Sequence, residues 1–129
     1  MKTFDYENVV YLKKLRKLAF IFYSKYIYRI TTLLQIKRAK FLDVGCGDGR
    51  VLSALQSLGF SKCYGVDVSR TFIHAAKKRG LKHIHYYNGK EIPFQRNTFD
   101  VVGAFNVLEH VPNPVFFLRE AIKYISNKK

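Results

Sequence analysis

In the C-terminal two thirds of the chain, two kinds of apolar pattern alternate from segment to segment. Four short, mostly apolar runs have the length of buried strands: 41–44, 63–66, 84–87 and 99–105. Three longer segments repeat apolar residues at every third or fourth position, which predicts amphipathic helices: 50–58, 69–79 and 114–125. Strands that alternate with helices are typical of an α/β fold with a parallel sheet.

The first part of the chain has a different character. Segment 8–36 is predicted to be a helix with a wide aromatic surface and many lysines and arginines. Lys25 and Arg29 interrupt its apolar surface well before the ~18 residues that a membrane span needs. A helix packed over the sheet or over a substrate pocket is favoured, and a helix on a membrane surface is the alternative. We therefore divide the chain into a basic, aromatic helical segment, 1–38, and an α/β domain, 39–129.

The first predicted strand leads into a glycine-rich turn that begins at Asp43. Gly45, Gly47 and Gly49 stand at alternate positions, with Cys46 between the first two. Glycine has no Cβ, so the turn can adopt positive φ and a ligand can approach its backbone. The helix that follows adds amide groups and the positive end of its dipole. The pattern predicts a cofactor site, and a turn that only closes a βα unit is the alternative.

The spacing of the glycines indicates which cofactor. A dinucleotide turn has the pattern G-x-G-x-x-G, whereas the third glycine here comes one residue early. The D-x-G-x-G-x-G pattern resembles the first motif of class I S-adenosylmethionine-dependent methyltransferases. The resemblance implies a Rossmann-like, doubly wound parallel sheet. It also implies a site for S-adenosylmethionine, in which Asp43 faces the ammonium group of the cofactor and the turn faces its carboxylate.

An acid, Asp67, ends the second predicted strand, about 20 residues after the turn. A carboxylate at this place can accept hydrogen bonds from both hydroxyls of a ribose. The matching residue of the methyltransferase family binds the cofactor ribose, and Val68 joins the expected site beside it. Asp67 could instead cap the next helix, although Ser69 is well suited to that role.

The loop after the third strand also resembles the family. Asn88-Gly89 is followed by an Ile-Pro-Phe turn and then by the Phe-Asp-Val-Val that opens the fourth strand. In the family an aspartate in this loop contacts the adenine amino group. Asn88 takes that position here, and its side-chain oxygen can still accept a hydrogen bond, though without a charge. Asn88 and Gly89 therefore complete the expected cofactor site on the adenine side.

The segment after the fourth strand, N-V-L-E-H-V-P from Asn106, resembles small-molecule methyltransferases, including those of quinone biosynthesis. The resemblance places Asn106 beside the methionine half of the cofactor. Glu109 and His110 are expected to face the acceptor pocket as the catalytic pair, with His110 taking a proton from an acceptor hydroxyl. The alternative is that Glu109 and His110 only cap a short turn.

Composition adds constraints. The 129 residues have a formal net charge of +14, which attracts nucleic acid, anionic lipid or acidic substrates in general, or reflects a basic proteome or missing acidic sequence. The sequence contains no stacking-aromatic RNA motif or recognition helix, so no specific nucleic acid is expected. Cys46 and Cys63 form neither a disulfide nor a metal pattern, and His83 and His85 have no third ligand nearby. We expect no metal and a cytoplasmic location.

The expected strand order is 3-2-1-4, which leaves the fourth strand at an edge of an incomplete sheet. Family members continue with three more strands, so the chain is expected to be truncated after the fourth strand and its helix. Three outcomes for the exposed edge are open: a homodimer through the fourth strand, coverage by the N-terminal helix, or a gene product that is a fragment.

Methyl transfer from S-adenosylmethionine to a small-molecule acceptor is the expected function. One alternative is a protein that binds the cofactor, or is a structural relic, without turnover. A second alternative is a basic module that interacts with nucleic acid or a membrane surface.

Overall fold

A computed structural model describes residues 38–105 and 107–126 of the chain. The predicted helix 8–36, and Asn106, lie outside the described residues. Four strands and three helices form the described part: β1 Phe41–Val44, α1 Arg50–Ser57, β2 Cys63–Asp67, α2 Arg70–Lys78, β3 His83–Tyr86, β4 Val101–Gly103 and α3 Pro114–Ile122. A single 3-10 turn, Leu108–His110, lies between β4 and α3.

The four strands form one parallel sheet in the order β3-β2-β1-β4. Phe41 of β1 is aligned with Cys63 of β2 on one side and with Val101 of β4 on the other. The predicted Rossmann-like sheet and its 3-2-1-4 order are therefore confirmed. In this order the carboxyl ends of β1, β2 and β3 meet at one edge of the sheet, where ligands of such folds bind.

Side chains that alternate along the strands supply two cores, one on each face of the sheet. Helices α1 and α2 cover the first face, whose buried residues include Phe41, Leu52 and Ile84. Helix α3 covers the second face, where Leu42 and Phe117 are buried. Both faces of the sheet are thus packed, which fixes the strand ends that carry the expected site.

The fourth strand is shorter than predicted, because it spans only Val101–Gly103 rather than 99–105. Phe99 instead pairs with Ile125, just beyond α3, and its N–H donates to the carbonyl of Tyr124 at 2.9 Å. Phe99 therefore pairs with the segment at the end of α3 and does not lengthen β4. The prediction was right about the strand and wrong about its ends.

The helix caps agree with the sequence. The hydroxyl of Ser69 accepts a hydrogen bond from the N–H of Phe72 at 3.2 Å and caps α2. The Oδ1 atom of Asn113 accepts from the N–H of Phe116 at 3.1 Å, and Pro114 opens α3. The predicted Ser69 and Asn113 caps are confirmed, which leaves Asp67 available for another role.

We expect Ser69→Ala to lower the free energy of unfolding by ~1 kcal/mol, because it removes the acceptor for an N–H at the start of α2. Ser61→Ala, at an exposed position before β2, is the matched control and should change stability by less than ~0.5 kcal/mol. Urea unfolding monitored by circular dichroism measures both variants. Equal stabilities of the two variants would contradict the assignment of the cap.

Candidate active site

The turn between β1 and α1 has the backbone conformation that its glycines allow. Gly45, Gly47 and Gly49 have φ angles of +80°, +56° and +84°. A Cβ added at Gly45 would lie 2.6 Å from a methyl group of Val107, whereas one added at Gly47 would meet no atom within 4 Å. The turn therefore needs glycine for its backbone at all three positions, and at Gly47 it presents bare backbone to open space.

Hydrogen bonds inside the protein already use several amides of this turn. The N–H groups of Gly45 and Cys46 both donate to the carbonyl of Val66, at 2.8 and 3.0 Å, and that of Gly49 donates to Cys46. These bonds lock the turn against the end of β2. A ligand at the turn would meet the glycine surface and the first amides of α1, whose N-terminus has no side-chain cap.

Asp67 connects the two strand ends directly. Its Oδ2 atom accepts from the N–H of Gly47 at 2.8 Å, and its Oδ1 atom accepts from the N–H of Ser69 at 2.8 Å. Asp67 is 8% exposed. Each carboxylate oxygen has two lone pairs, so both oxygens can still accept one more hydrogen bond from a ligand.

Asp43 lies at the next strand end, on β1, and is only 1% exposed. Its Oδ1 atom is buried and has no hydrogen-bond partner among the described residues. Burial, and secondly the charge of Asp67, raises the pKa of Asp43 to about 8. A buried oxygen without a partner is costly, so this carboxyl group is suited to receive a donor from a ligand, above all a cationic one.

Val68, Asn88 and Gly89 are the residues expected on the adenine side of the site. Val68 is 56% exposed at the end of β2, and a Cβ built on Gly89 would lie 3.6 Å from its Cγ1 atom. The Asn88 Oδ1 atom accepts from the N–H groups of Lys90 and Glu91, at 2.8 and 2.9 Å. These bonds occupy both lone pairs of the oxygen, so an adenine amino group would have to replace one of them.

A cavity of about 220 Å³ opens beside Gly89, between the loop after β3 and helix α3. Val44, Tyr87 and Phe117 form part of its apolar wall. Burial raises the pKa of the Tyr87 phenol, and the charge of Asp67 raises it further, so the Tyr87 end of this wall lies close to Asp67. Sequence reasoning missed Tyr87, since its position in a strand pattern indicates only a core residue.

The predicted catalytic pair lies on the 3-10 turn after β4. The His110 Nε2 atom is 3.5 Å from the Glu109 Oε1 atom, and both side chains are about two fifths exposed, at 40% and 38%. The structure brings these two residues together on the surface and shows no hydrogen bond from either side chain to Asp43 or Asp67 within the described residues. Their role toward an acceptor stays a prediction.

Both cysteines are buried and unpaired. Burial, followed by the charges of Asp43 and Asp67, raises the pKa of the Cys46 thiol, so Cys46 lines the turn as an uncharged group. Burial alone raises the pKa of Cys63 to about 11.

The rings of His83 and His85 contact aromatic side chains. His83 stacks on Tyr64 with ring centroids 4.6 Å apart, and His85 meets Phe94 edge to face at 5.5 Å. Across residues 38–105 and 107–126, no group of three or more metal-ligand side chains is found. In the same residues, no helix is both long and apolar enough to span a membrane.

We expect Asp43→Asn to stabilise the ligand-free protein increasingly as pH rises. In the wild-type protein the pKa of Asp43 rises from 3.8 to about 8 on folding, so its contribution is full below about pH 4 and is lost up to about pH 8. Asparagine never ionises, so the difference between the variant and the wild type should grow by on the order of a few kcal/mol over this window.

Thermal unfolding between pH 5 and 9 measures this difference, with the exposed Glu91→Gln as the control. A difference between Asp43→Asn and the wild type that stayed constant over that range would contradict the burial of an unpaired carboxyl group.

Comparisons with known proteins agree with this geometry. Residues 42–127 match the family model described as "Methyltransferase domain". The ubiquinone biosynthesis O-methyltransferase of Pelagibacter ubique is 33% identical over 94 residues, which cover 70% of this chain and 39% of that protein. The mitochondrial ubiquinone biosynthesis O-methyltransferase of Schizosaccharomyces pombe is 38% identical over 97 residues, 65% of this chain and 34% of that protein.

Solved structures show the same fold. A putative sarcosine dimethylglycine methyltransferase from Galdieria sulphuraria has a TM-score of 0.69 at 17% identity, over 80% of this chain and 41% of that one. A SAM dependent methyltransferase from Aquifex aeolicus has a TM-score of 0.57 at 28% identity, over 74% of this chain and 57% of that one. The chain spans less than two fifths of the length of the two ubiquinone biosynthesis O-methyltransferases. It belongs to the methyltransferase-domain family of class I S-adenosylmethionine-dependent methyltransferases.

Proposed function

We propose that the protein transfers a methyl group from S-adenosylmethionine to a hydroxyl oxygen of a small-molecule acceptor. The observation that carries the proposal is the pair of buried carboxylates at the ends of β1 and β2. The Asp67 carboxylate accepts a hydrogen bond from the N–H of Gly47 in the glycine turn. The Oδ1 atom of Asp43 has no hydrogen-bond partner among the described residues. The hydroxyl acceptor is supported by the names of the two curated relatives, both of which are O-methyltransferases.

The residues present fit the cofactor of the family. The unpartnered Oδ1 atom of Asp43 needs a donor, which the ammonium group of the methionine half would supply. Asp67 would accept from the ribose hydroxyls with the lone pairs that Gly47 and Ser69 leave open. The exposed Val68 would cover one face of the adenine, with Gly89 and the cavity next to it.

The bound cofactor supplies a methyl group that is already activated by its sulfonium, so the protein needs mainly to position the reactants and exclude water. The buried strand ends hold the cofactor rigidly, because both faces of the sheet are packed. In this proposal His110 takes the proton from the acceptor hydroxyl, and Glu109, 3.5 Å away, stabilises the resulting imidazolium.

A second copy of the chain at the β4 edge stays a prediction, as does the cytoplasmic location. Support for an interface comes from α3, where Val115 and Ile122 are each 60% exposed and Leu118 is 40% exposed. These apolar side chains lie on the helix that follows the edge strand, and an uncovered edge favours pairing with another chain.

Asp67→Asn should weaken binding of S-adenosylmethionine by about 10- to 100-fold, since it removes the charge from the acceptor of two ribose hydrogen bonds. Isothermal titration calorimetry measures the affinity. Glu91→Gln removes one carboxylate at an exposed position and is the matched control, which should bind like the wild type. An unchanged affinity in Asp67→Asn would count against this site.

His110→Ala should lower the rate of methyl transfer by about 100-fold or more while leaving cofactor binding intact, as expected for the loss of a general base. A labelled-methyl assay against phenols, catechols and amines measures the rate and the acceptor class. His74→Ala, at an exposed position on α2, is the control. Cofactor binding without transfer to any acceptor would support the second candidate, a protein that binds the cofactor without turnover.

A further inference from the structure

The positive charge of the described residues is concentrated in one stretch of the chain. Segment 68–90 contains six lysines and arginines and no aspartate or glutamate. The other described residues contain seven basic and seven acidic side chains, so their charges balance. The net positive charge of residues 38–105 and 107–126 therefore comes entirely from this segment.

The fold places these charges around one edge of the sheet. Helix α2 and strand β3 are adjacent, and β3 is the outermost strand on that side. We call this region the α2–β3 surface and define it by five exposed basic residues: Arg70, Lys77, Lys78, Arg79 and Lys82. The sixth, Lys90, follows β3 and lines the cavity beside α3. Of the five, Arg79 contacts an acid of the glycine turn, with its Nη2 atom 3.3 Å from Asp48. The other residues of the surface are also exposed.

Aromatic rings are interleaved with these charges. Tyr86 of β3 is 41% exposed, and the guanidinium of Arg70 lies 4.1 Å from the centre of its ring. Phe72 of α2 is 37% exposed. The surface thus combines cations with flat side chains that remain accessible.

We propose that the α2–β3 surface binds single-stranded nucleic acid without sequence preference. Lysines and arginines would contact phosphates, and Tyr86 and its neighbours would stack on bases, which is how such strands are held without base readout. A helix of nine residues is about 13 Å long, enough to pass about four phosphates spaced as in one strand of a duplex.

The nature of the surface favours a nucleic acid over a membrane. A membrane-binding surface needs protruding aliphatic side chains beside its charges. Next to α2 only Val68 is such a residue among the described ones, since Ile73 and Ile84 are buried. The exposed Val115 and Ile122 both lie on α3, which covers the opposite face of the sheet from α2. This proposal does not depend on cofactor binding, because the two residues that its charge test changes, Lys77 and Lys78, lie on α2 and do not line the cavity beside Gly89.

Fluorescence anisotropy with a labelled oligo-uridine strand tests the proposal on the full chain. Lys77→Gln combined with Lys78→Gln should weaken binding about tenfold. Arg96→Gln combined with Arg119→Gln removes the same charge at exposed positions elsewhere and should have little effect. The slope of log affinity against log salt should be about −3, for about four phosphate contacts.

Tyr86→Ala should weaken binding by about fivefold or more, and Tyr86→Phe should retain it, since stacking needs the ring and not the hydroxyl. Thermal unfolding confirms that each variant is folded. Equal losses in the two double variants would overturn the proposal, because binding would then follow total charge alone. Binding to vesicles that contain anionic lipid, without binding to the oligonucleotide, would also overturn it.

Discussion

The hydrogen bond from the Gly47 N–H to the carboxylate of Asp67 holds the site together. It joins the turn after β1 to the end of β2, and the amides of Gly45 and Cys46 reinforce the join by donating to Val66. A turn with three residues at positive φ has little intrinsic preference for one conformation. These hydrogen bonds stabilise one conformation of the turn. The residues expected to contact the two halves of a nucleoside cofactor are therefore already positioned in the ligand-free protein.

The same arrangement has a cost in stability. Asp43 and Asp67 are both buried at neighbouring strand ends, and Asp43 has an oxygen without a partner in the described structure. A fold selected for stability alone would place a hydrophobic residue at Asp43, as it does at Val44. A cationic ligand would supply the missing hydrogen bond and would favour the ionised form of Asp43 beside Asp67. The strain of the ligand-free protein is therefore itself a reason to assign binding to this place.

Most of the fold could be predicted from the sequence, because the turn and the caps depend on local residues and the strand order depends on topology rules. The glycine turn and the Ser69 and Asn113 caps follow from residue type. The strand order follows from the resemblance to a doubly wound fold and from topology rules. The ends of β4 could not be predicted, since Phe99 pairs with Ile125 and no local sequence pattern indicates that contact. The occupied oxygen of Asn88 and the cavity wall at Tyr87 were also out of reach, because both depend on how the loop after β3 folds against its neighbours.

The proposed cofactor binding and the proposed turnover depend on different parts of the structure. The expected cofactor residues that the structure describes stand at the ends of β1, β2 and β3, three strands that pair along their length between packed helices. Glu109 and His110 stand on a single 3-10 turn beyond the edge strand β4, and both are exposed. Catalysis needs reacting groups fixed to within fractions of an ångström, whereas binding tolerates more. Any acceptor or partner that orders this turn would therefore change the rate of transfer more than the affinity for the cofactor.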